Sequence, residues 1–261
     1  MMQVNFEKWH GNGNDFVIVN SLESEIKIKK KFITYASNRN KGIGFDQLIK
    51  INPPKNSYDD FYIEFFNADG SEAEMCLNGI RCAASYIWNN NFAPIRKIAL
   101  QTKTNSLDCS YLANNKVNVF VKEPEEMKNI NLVNNLKKKI KRKFFLLNAG
   151  NNHLCIKLKK IKKFDLQDLY SDLSSNIKEH NINLSIFEEE NNKYFIRTFE
   201  NGVGETLSCG SAALCVAKIS FNQNNICIVS SAGGKLKFKK CLNGILMNGA
   251  TNIIFKGNIY V

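Results

Sequence analysis

The chain has 261 residues, of which 44% are hydrophobic and 11% aromatic, the composition of a globular protein with enough apolar material for one large domain or two of ordinary size. No run approaches the ~18 consecutive apolar residues that span a bilayer, and the opening MMQVNFEKWHGNGND lacks the basic-then-apolar pattern of a signal peptide, so a soluble cytoplasmic protein with no membrane partner is expected. The formal charge of +12 would suit nucleic acid or an anionic small substrate, but the lysines are scattered. The densest run, Lys137 to Lys143, reads as a solvated face or loop, which argues against a nucleic-acid partner.

In chain order, Val4 to Asn20 reads as strand, glycine turn (HGNGND) and strand, because Phe16-Val17-Ile18-Val19 has strand length and β-branched content. Lys30 to Asn40 is a helix candidate. A glycine turn from Gly42 precedes a strand over Leu48 to Ile51, which Pro53-Pro54 closes. Phe61 to Phe66 is a strand. Ile80, Ala83, Ala84, Ile87 and Trp88 fall at helical spacing and predict a helix over Asn78 to Asn89. Ile95 to Thr102 and Val117 to Val121 are predicted strands with a polar, hairpin-like gap between them. Pro124 to Lys143 is charged and weakly periodic, a linker or crossover. A second half then repeats the plan: Phe144 to Leu147, a turn at Ala149 to His153, the strand Leu154 to Leu158, a helix over Asp165 to His180, the strand Tyr194 to Phe199 and a helix over Ala212 to Phe221. Short strands follow at Ile226 to Val229, Lys235 to Phe238, Gly244 to Met247 and Ile253 to Phe255. The expected fold is an α+β architecture built twice.

The repeat is sharpest around two cysteines. FNADGSEAEMCLNGIRCAA (Phe66 to Ala84) and FENGVGETLSCGSAALCVA (Phe199 to Ala217) align without a gap, matching at Phe66/Phe199, Glu72/Glu205, Cys76/Cys209, Cys82/Cys215 and Ala84/Ala217. The eight cysteines are expected as thiols in a reducing compartment, each either core filler, the default, or chemistry. Metal is not expected, because Cys-x5-Cys is not the usual ligand gap and there are only three histidines.

Cys76 and Cys209 both fall at or just before a predicted helix N-terminus, where unpaired N–H groups and the macrodipole favour the thiolate. One such cysteine can be a thiolate base while its counterpart stays a thiol acid. The same helix ends can hold a carboxylate on backbone N–H groups. Thiols on opposite faces of a bound α-carbon would invert it. An acidic side chain is wanted for the substrate ammonium; Glu200 is a candidate, with an exposed strand-end charge as its other reading.

The motifs HGNGNDF (His10 to Phe16), GIGFDQL (Gly42 to Leu48), FNADGSE with CLNG (Phe66 to Gly79), GNNH (Gly150 to His153) and GETLSCGS (Gly204 to Ser211), in this order over most of the chain, resemble the diaminopimelate epimerase family. The resemblance implies two pseudo-symmetric α/β halves, residues 1–120 and 121–249, each a mixed or antiparallel sheet around a central helix, with 250–261 returning to the first half. It implies interconversion of L,L- and meso-diaminopimelate in lysine and cell-wall precursor synthesis, without cofactor, by two cysteines that map onto Cys76 and Cys209. It implies substrate contacts from Asn14, Gln47, Asn67, Asn78, Asn151, Asn183, Glu200, Gly210 and Ser211, with His153 lining the site, and a homodimer. Leu77 replaces a glycine but can still supply a backbone N–H; Ala212, Asn152 and Asn12 replace a glycine, a proline and a leucine. Asn201 stands where the family has an arginine for the distal carboxylate, and an asparagine keeps a hydrogen bond but not the bidentate charge contact. A related racemase of another amino acid, such as histidine or lysine, is the alternative this raises.

Overall fold

The computed structural model describes residues 3–191, 193–221 and 225–260; Met1, Met2 and Val261, at the ends of the expected first half, lie outside them. The chain forms two compact units, Met1–Phe120 with Asn248–Val261, and Val121–Met247.

The first unit runs β1 (Gln3–Gly11), β2 (Asn14–Asn20), α1 (Lys30–Ser37), β3 (Gln47–Asn52), β4 (Phe61–Asn67), β5 (Glu72–Ala73), α2 (Leu77–Asn89), β6 (Ile98–Gln101), β7 (Ser106–Leu112) and β8 (Lys116–Val121). β1 and β2 pair antiparallel, β2 and β3 parallel, β3 and β4 antiparallel, β4 and β6 parallel, and β6, β7 and β8 antiparallel in succession.

In the second unit β9 (Glu125–Glu126), α3 (Ile130–Lys139), β10 (Phe144–Asn148), β11 (Asn152–Lys157), α4 (Leu166–Glu179), β12 (Ile182–Glu190), β13 (Lys193–Glu200), β14 (Gly204–Thr206), α5 (Gly210–Ser220), β15 (Ile226–Ser231) and β16 (Gly234–Cys241) follow, then β17 (Gly244–Ala250). The senses of pairing repeat: β10 with β11 antiparallel, β11 with β12 parallel, β12 with β13 antiparallel, β13 with β15 parallel, β15 with β16 antiparallel. The last strand, β18 (Asn252–Tyr260), pairs antiparallel with β1 of the first unit. The result is a mixed α+β fold, mostly sheet.

Each sheet wraps one helix. Leu77 through Trp88 of α2 are all buried, and α2 packs on β1, β2, β3, β6 and β7. A largely apolar helix buried on every side is stable only where it is enclosed, and its polar Asn78, Arg81 and Ser85 find partners inside. Gly79 sets how close the sheet comes: a Cβ there would lie 2.5 Å from the Phe65 ring and 3.2 Å from both Ile49 and Phe16. α5 likewise packs on β11, β12, β13, β15 and β16, and its Gly210, Ala212, Ala213 and Ala217 are buried, small residues that let strands approach.

Several elements differ from expectation. α1 stops at Ser37, because Asn38 is extended and closes the helix with its N–H on the Tyr35 carbonyl; a side chain at Gly42 would strike that carbonyl at 2.4 Å. The segment read as a linker contains α3, capped by Asn129, whose side chain accepts from Leu132 N–H. Leu132 and Leu136 of α3 join a core with Leu173 and Ile177 of α4, and Val133 packs against it, which seats the helix. The run from Lys137 begins in its last turn, where cations complement the dipole. The gap before Val117 holds β7, whose Leu107 and Cys109 are buried while Tyr111 and Leu112 are exposed. β12 was not anticipated. It lies between β11 and β13 and is buried from Ile182 through Phe187, so it shows no polar face to water; Ser185 instead meets Thr198 across the pair at 3.0 Å.

Candidate active site

Both central helices begin immediately after a cysteine. Cys76 (φ −138°, ψ 114°) and Cys209 (φ −116°, ψ 114°) are the N-caps, and neither side chain caps its helix. A serine or aspartate at such a position turns its oxygen back onto the first turn; these cysteine side chains do not. The first helical bonds are Ile80 N–H to the Cys76 carbonyl at 2.8 Å and Ala213 N–H to the Cys209 carbonyl at 3.0 Å. The N–H groups of Leu77 and Asn78, and of Gly210 and Ser211, therefore come before the first bond of each helix ladder.

In the first unit Asn14 opens β2, Gln47 opens β3 and Asn67 ends β4, which brings them to the same end of the sheet. The Cys76 thiol lies 3.4 Å from Asn14 Oδ1, and Asn78 Nδ2 lies 3.5 Å from the same oxygen. Gln47 faces Asn67 across the strands and donates Nε2–H to its Oδ1 at 2.9 Å. Beside them Lys8, Asp15, Arg39 and Asp46 form an ion cluster. Burial pushes the Asp15 carboxyl up, but hydrogen bonds from Arg39 and Lys8 outweigh it and bring its pKa down to about 2.

In the second unit His153 is fully buried and its Nε2 lies 2.9 Å from Asn151 Oδ1 and 3.0 Å from Ser211 Oγ. Burial lowers its pKa to about 3, so the imidazole is neutral. Asn151 Oδ1 can only accept, which places the proton on Nε2. Ser211 Oγ shares that N–H, so its own hydroxyl can donate to Cys209 Sγ, 3.4 Å away. Glu200 accepts from Thr206 Oγ1 at 2.6 Å. Asn183 Oδ1 accepts the Asn201 backbone N–H at 2.9 Å. The Asn201 side chain is engaged: Oδ1 accepts from Tyr170 Oη at 2.8 Å and Nδ2 reaches Asn181 Oδ1 at 3.4 Å.

Strand register makes these two sets correspond. Phe66 faces Glu72, and Phe199 faces Glu205, which is the pairing that aligned the two cysteine segments. Phe16 faces Gln47 and His153 faces Asn183 in the matching parallel pairs. By that register Gln47 matches Asn183, Asn67 matches Glu200, Asn78 matches Ser211, and Phe16 of the first unit matches His153 of the second.

The family model for diaminopimelate epimerase matches residues 6–127. The chain is 31% identical to the diaminopimelate epimerase of Buchnera aphidicola subsp. Acyrthosiphon pisum (strain 5A), over 99% of this chain and 97% of that one. It is 32% identical to the enzyme of the same name from Buchnera aphidicola subsp. Baizongia pistaciae, over 100% and 97%. The chain belongs to the diaminopimelate epimerase family. The crystal structure of a phenazine biosynthesis protein of the PhzF family from Enterococcus faecalis superposes with a TM-score of 0.73 at 12% identity, covering all of both chains, a likeness of fold alone.

Two residues near the family's motif positions had drawn no attention in the sequence. Arg81 is fully buried in α2 and donates Nη2–H to Asn12 Oδ1 at 3.0 Å and to Asn78 Oδ1 at 3.1 Å. Its signal was a lone charge inside an otherwise apolar helical run. Asp46 accepts Asn14 Nδ2 at 2.7 Å; it sat unremarked in the GIGFDQL motif. The buried thiols of Cys82 and Cys109 are pushed up by desolvation, Cys215 by burial and its contact with Cys155, and Cys227 to about 11 by burial, so these stay protonated core residues. Among the described residues no group of three or more His, Cys, Asp or Glu side chains is placed to hold a metal ion, and no helix is long and apolar enough to cross a membrane.

Proposed function

We propose that this chain interconverts L,L- and meso-diaminopimelate by proton transfer at one α-carbon, with Cys76 and Cys209 as the two acid/base groups and no cofactor. The observation that carries this reading is the placement of a cysteine, uncommitted to capping, at the N-terminus of the enclosed helix in each of two units of matching register. The full-length likeness to enzymes of this name supports the substrate.

The hydrogen bonds around the sulfurs support a division of labour. Cys76 has an acceptor, Asn14 Oδ1, at 3.4 Å, which favours S–H. Cys209 has a donor, the Ser211 hydroxyl, at 3.4 Å, which favours the thiolate. In this scheme Cys209 removes the α-proton and Cys76 delivers its own to the opposite face, leaving the protonation of the pair reversed; proton exchange of both thiols with water after product release restores it and supplies the solvent proton for the next turnover. Inversion requires one thiol on each face of the carbon. The negative charge that develops on the substrate carboxylate is met by the N–H groups at the helix ends, fixed before the reaction begins. Glu200 is the anionic partner for the ammonium. Asn14, Gln47, Asn67, Leu77, Asn78, Asn151, Asn183, Asn201, Gly210 and Ser211 are read as the remaining contacts, with His153 holding Asn151 and Ser211.

Asn201 had raised a racemase of another amino acid as the alternative. The relatives do not favour it, and Asn201 is tied to Tyr170, Asn181 and Asn183 in a way that a purely lost arginine would not require. We also read the enzyme as a cytoplasmic homodimer, which light scattering on the purified chain tests.

In heavy water, L,L-diaminopimelate is expected to gain deuterium at the α-carbon as it inverts, with no cofactor added. Cys76→Ala and Cys209→Ala are each expected to abolish inversion. Near-normal epimerisation by either variant would overturn the two-base scheme; no inversion by the unaltered chain would overturn the substrate.

A further inference from the structure

Four side chains of the first unit form a directed chain of hydrogen bonds. The Arg81 guanidinium donates to Asn78 Oδ1 at 3.1 Å, Asn78 Nδ2 donates to Asn14 Oδ1 at 3.5 Å, and Asn14 Nδ2 donates to Asp46 Oδ2 at 2.7 Å. A positive charge stands at one end and a negative charge at the other, with two amides head to tail between them.

An amide presents an acceptor on one side and two donors on the other. Turning Asn78 over would set its NH2 against a guanidinium, which can only donate. Turning Asn14 over would set its oxygen against a carboxylate, which can only accept. Each reversal loses a charge-assisted bond and gains a repulsive contact. The two end charges therefore fix both amides.

The amide orientation matters because Asn14 Oδ1 is the atom facing Cys76 Sγ at 3.4 Å. We propose that Asp46 and Arg81 are positioning residues for this reaction: by capping the Asn78–Asn14 chain they hold the Asn14 oxygen on Cys76 and keep that cysteine in its proton-donating form. The inference rests on the reading of Cys76 as an acid/base group. Both act through the asparagines.

The two ends are not equivalent as probes. Arg81 is fully buried, its Nε and Nη1 have no hydrogen-bond partner, and burial lowers its pKa, although a guanidinium remains charged at neutral pH. Its charge acts on the thiol through space in favour of the thiolate, opposite to what it does through the amides. Asp46 is the cleaner handle. Its side chain is 43% exposed, outside the core.

The other charges around this chain are accounted for by partners. On β1, Lys8 pairs with Asp15 of β2, and Glu7 with Lys256 of β18. Arg39 bridges Asp15 and Asp46, and Lys50 of β3 pairs with Glu64 of β4. His10 of β1 accepts Gly13 N–H at Nδ1. Cys82 of α2 and Cys109 of β7 are thiols held protonated by burial, Asp108 of β7 pairs with Lys97, and β6 carries no titratable side chain.

The test is the pH dependence of Cys76 alkylation by iodoacetamide, read by peptide mass spectrometry on the full chain with no substrate present. Asp46→Asn frees Asn14 to turn an N–H toward the sulfur, which stabilises the thiolate. The midpoint is expected to fall by about one pH unit. The turnover of diaminopimelate at neutral pH is expected to fall with it, through kcat more than KM. Asp46→Ala, which removes the acceptor outright, carries the same expectation and stands in if the asparagine variant does not fold by circular dichroism. Arg39→Gln breaks the surface ion pairs while leaving Asp46 on Asn14, and its midpoint is expected not to fall.

Removing a carboxylate also lowers a nearby thiol pKa by bare charge, and salt separates the two causes. At 1 M salt the screening length is about 3 Å, and with Asp46 43% exposed a through-space effect shrinks with salt, whereas an effect of amide direction persists. An Asp46→Asn profile that superimposes on the unaltered chain overturns the proposal, and so does a shift that vanishes at 1 M salt. Because no substrate is present, an unaltered chain that fails to invert diaminopimelate would sink the functional reading and leave the alkylation result standing on its own.

Discussion

His153 Nε2 lies 3.0 Å from Ser211 Oγ, joining a buried strand to the first turn of α5 directly above the sulfur of Cys209. The pair gives the serine a fixed donor, so its own proton points to Cys209 at 3.4 Å. Hydrogen bonds to a charged group contribute about 1.5–3 kcal/mol, a factor of roughly 10–100 in rate. Ser211→Ala is therefore expected to lower kcat/KM for diaminopimelate by about that factor. The removed bond stabilised the thiolate, so the acid limb of the pH profile should move to higher pH. A limb that stays in place would mean that the serine does not hold the Cys209 charge.

The same histidine sets part of the acid stability. Its ordinary pKa is 6.5 and burial lowers it to about 3 in the folded chain. Between those values the unfolded chain binds a proton that the folded chain refuses, so stability is fully present above about pH 6.5 and declines as the pH falls toward 3. Asp15 adds a second loss lower down, between its ordinary 3.8 and about 2, because its carboxylate is held by Arg39 and Lys8. His153→Phe copies the residue at the matching position in the first unit, Phe16. Urea unfolding from pH 7 to pH 4 should show a smaller decline for this variant than for the unaltered chain; an identical slope would mean that His153 is protonated before the fold is lost.

What the sequence made legible follows from how each signal is written. The Cys76 and Cys209 segments were visible because the two hairpins that present them share a register, so Phe66/Glu72 and Phe199/Glu205 recur at one spacing. β12 was missed although Ile182-Asn183-Leu184-Ser185-Ile186 alternates apolar and polar; the run is short, and its polar face does not meet water, because Asn183 and Ser185 find partners inside the protein. α3 was invisible because its apolar residues Ile130, Leu132, Val133 and Leu136 do not repeat strongly beside the asparagines and lysines, and tertiary contact with α4 decides its fate. Asp46 carried no pattern of its own, and Arg81 only its lone charge within α2. Their importance lies in which oxygen or nitrogen of Asn78 and Asn14 they face, and that is a property of the folded neighbourhood.

Asn201 poses the question of the distal end of the substrate. Tyr170 stacks on Phe199 with ring centroids 4.0 Å apart, and its hydroxyl donates to Asn201 Oδ1 at 2.8 Å. With that oxygen occupied, the asparagine amide is oriented with its donors away from Tyr170, the sense needed to meet a carboxylate. Tyr170→Phe keeps the stacked ring and deletes the one hydroxyl that fixes the amide. A neutral hydrogen bond contributes about 0.5–1.5 kcal/mol, so the variant should fold with little loss of stability. A contact to the distal group is made equally in the ground state and the transition state, and losing it raises KM with kcat nearly unchanged. The expected result is a rise in KM for diaminopimelate of about 2- to 10-fold. A fall in kcat at constant KM would instead place Tyr170 and Asn201 in the support of Glu200 and the reacting centre.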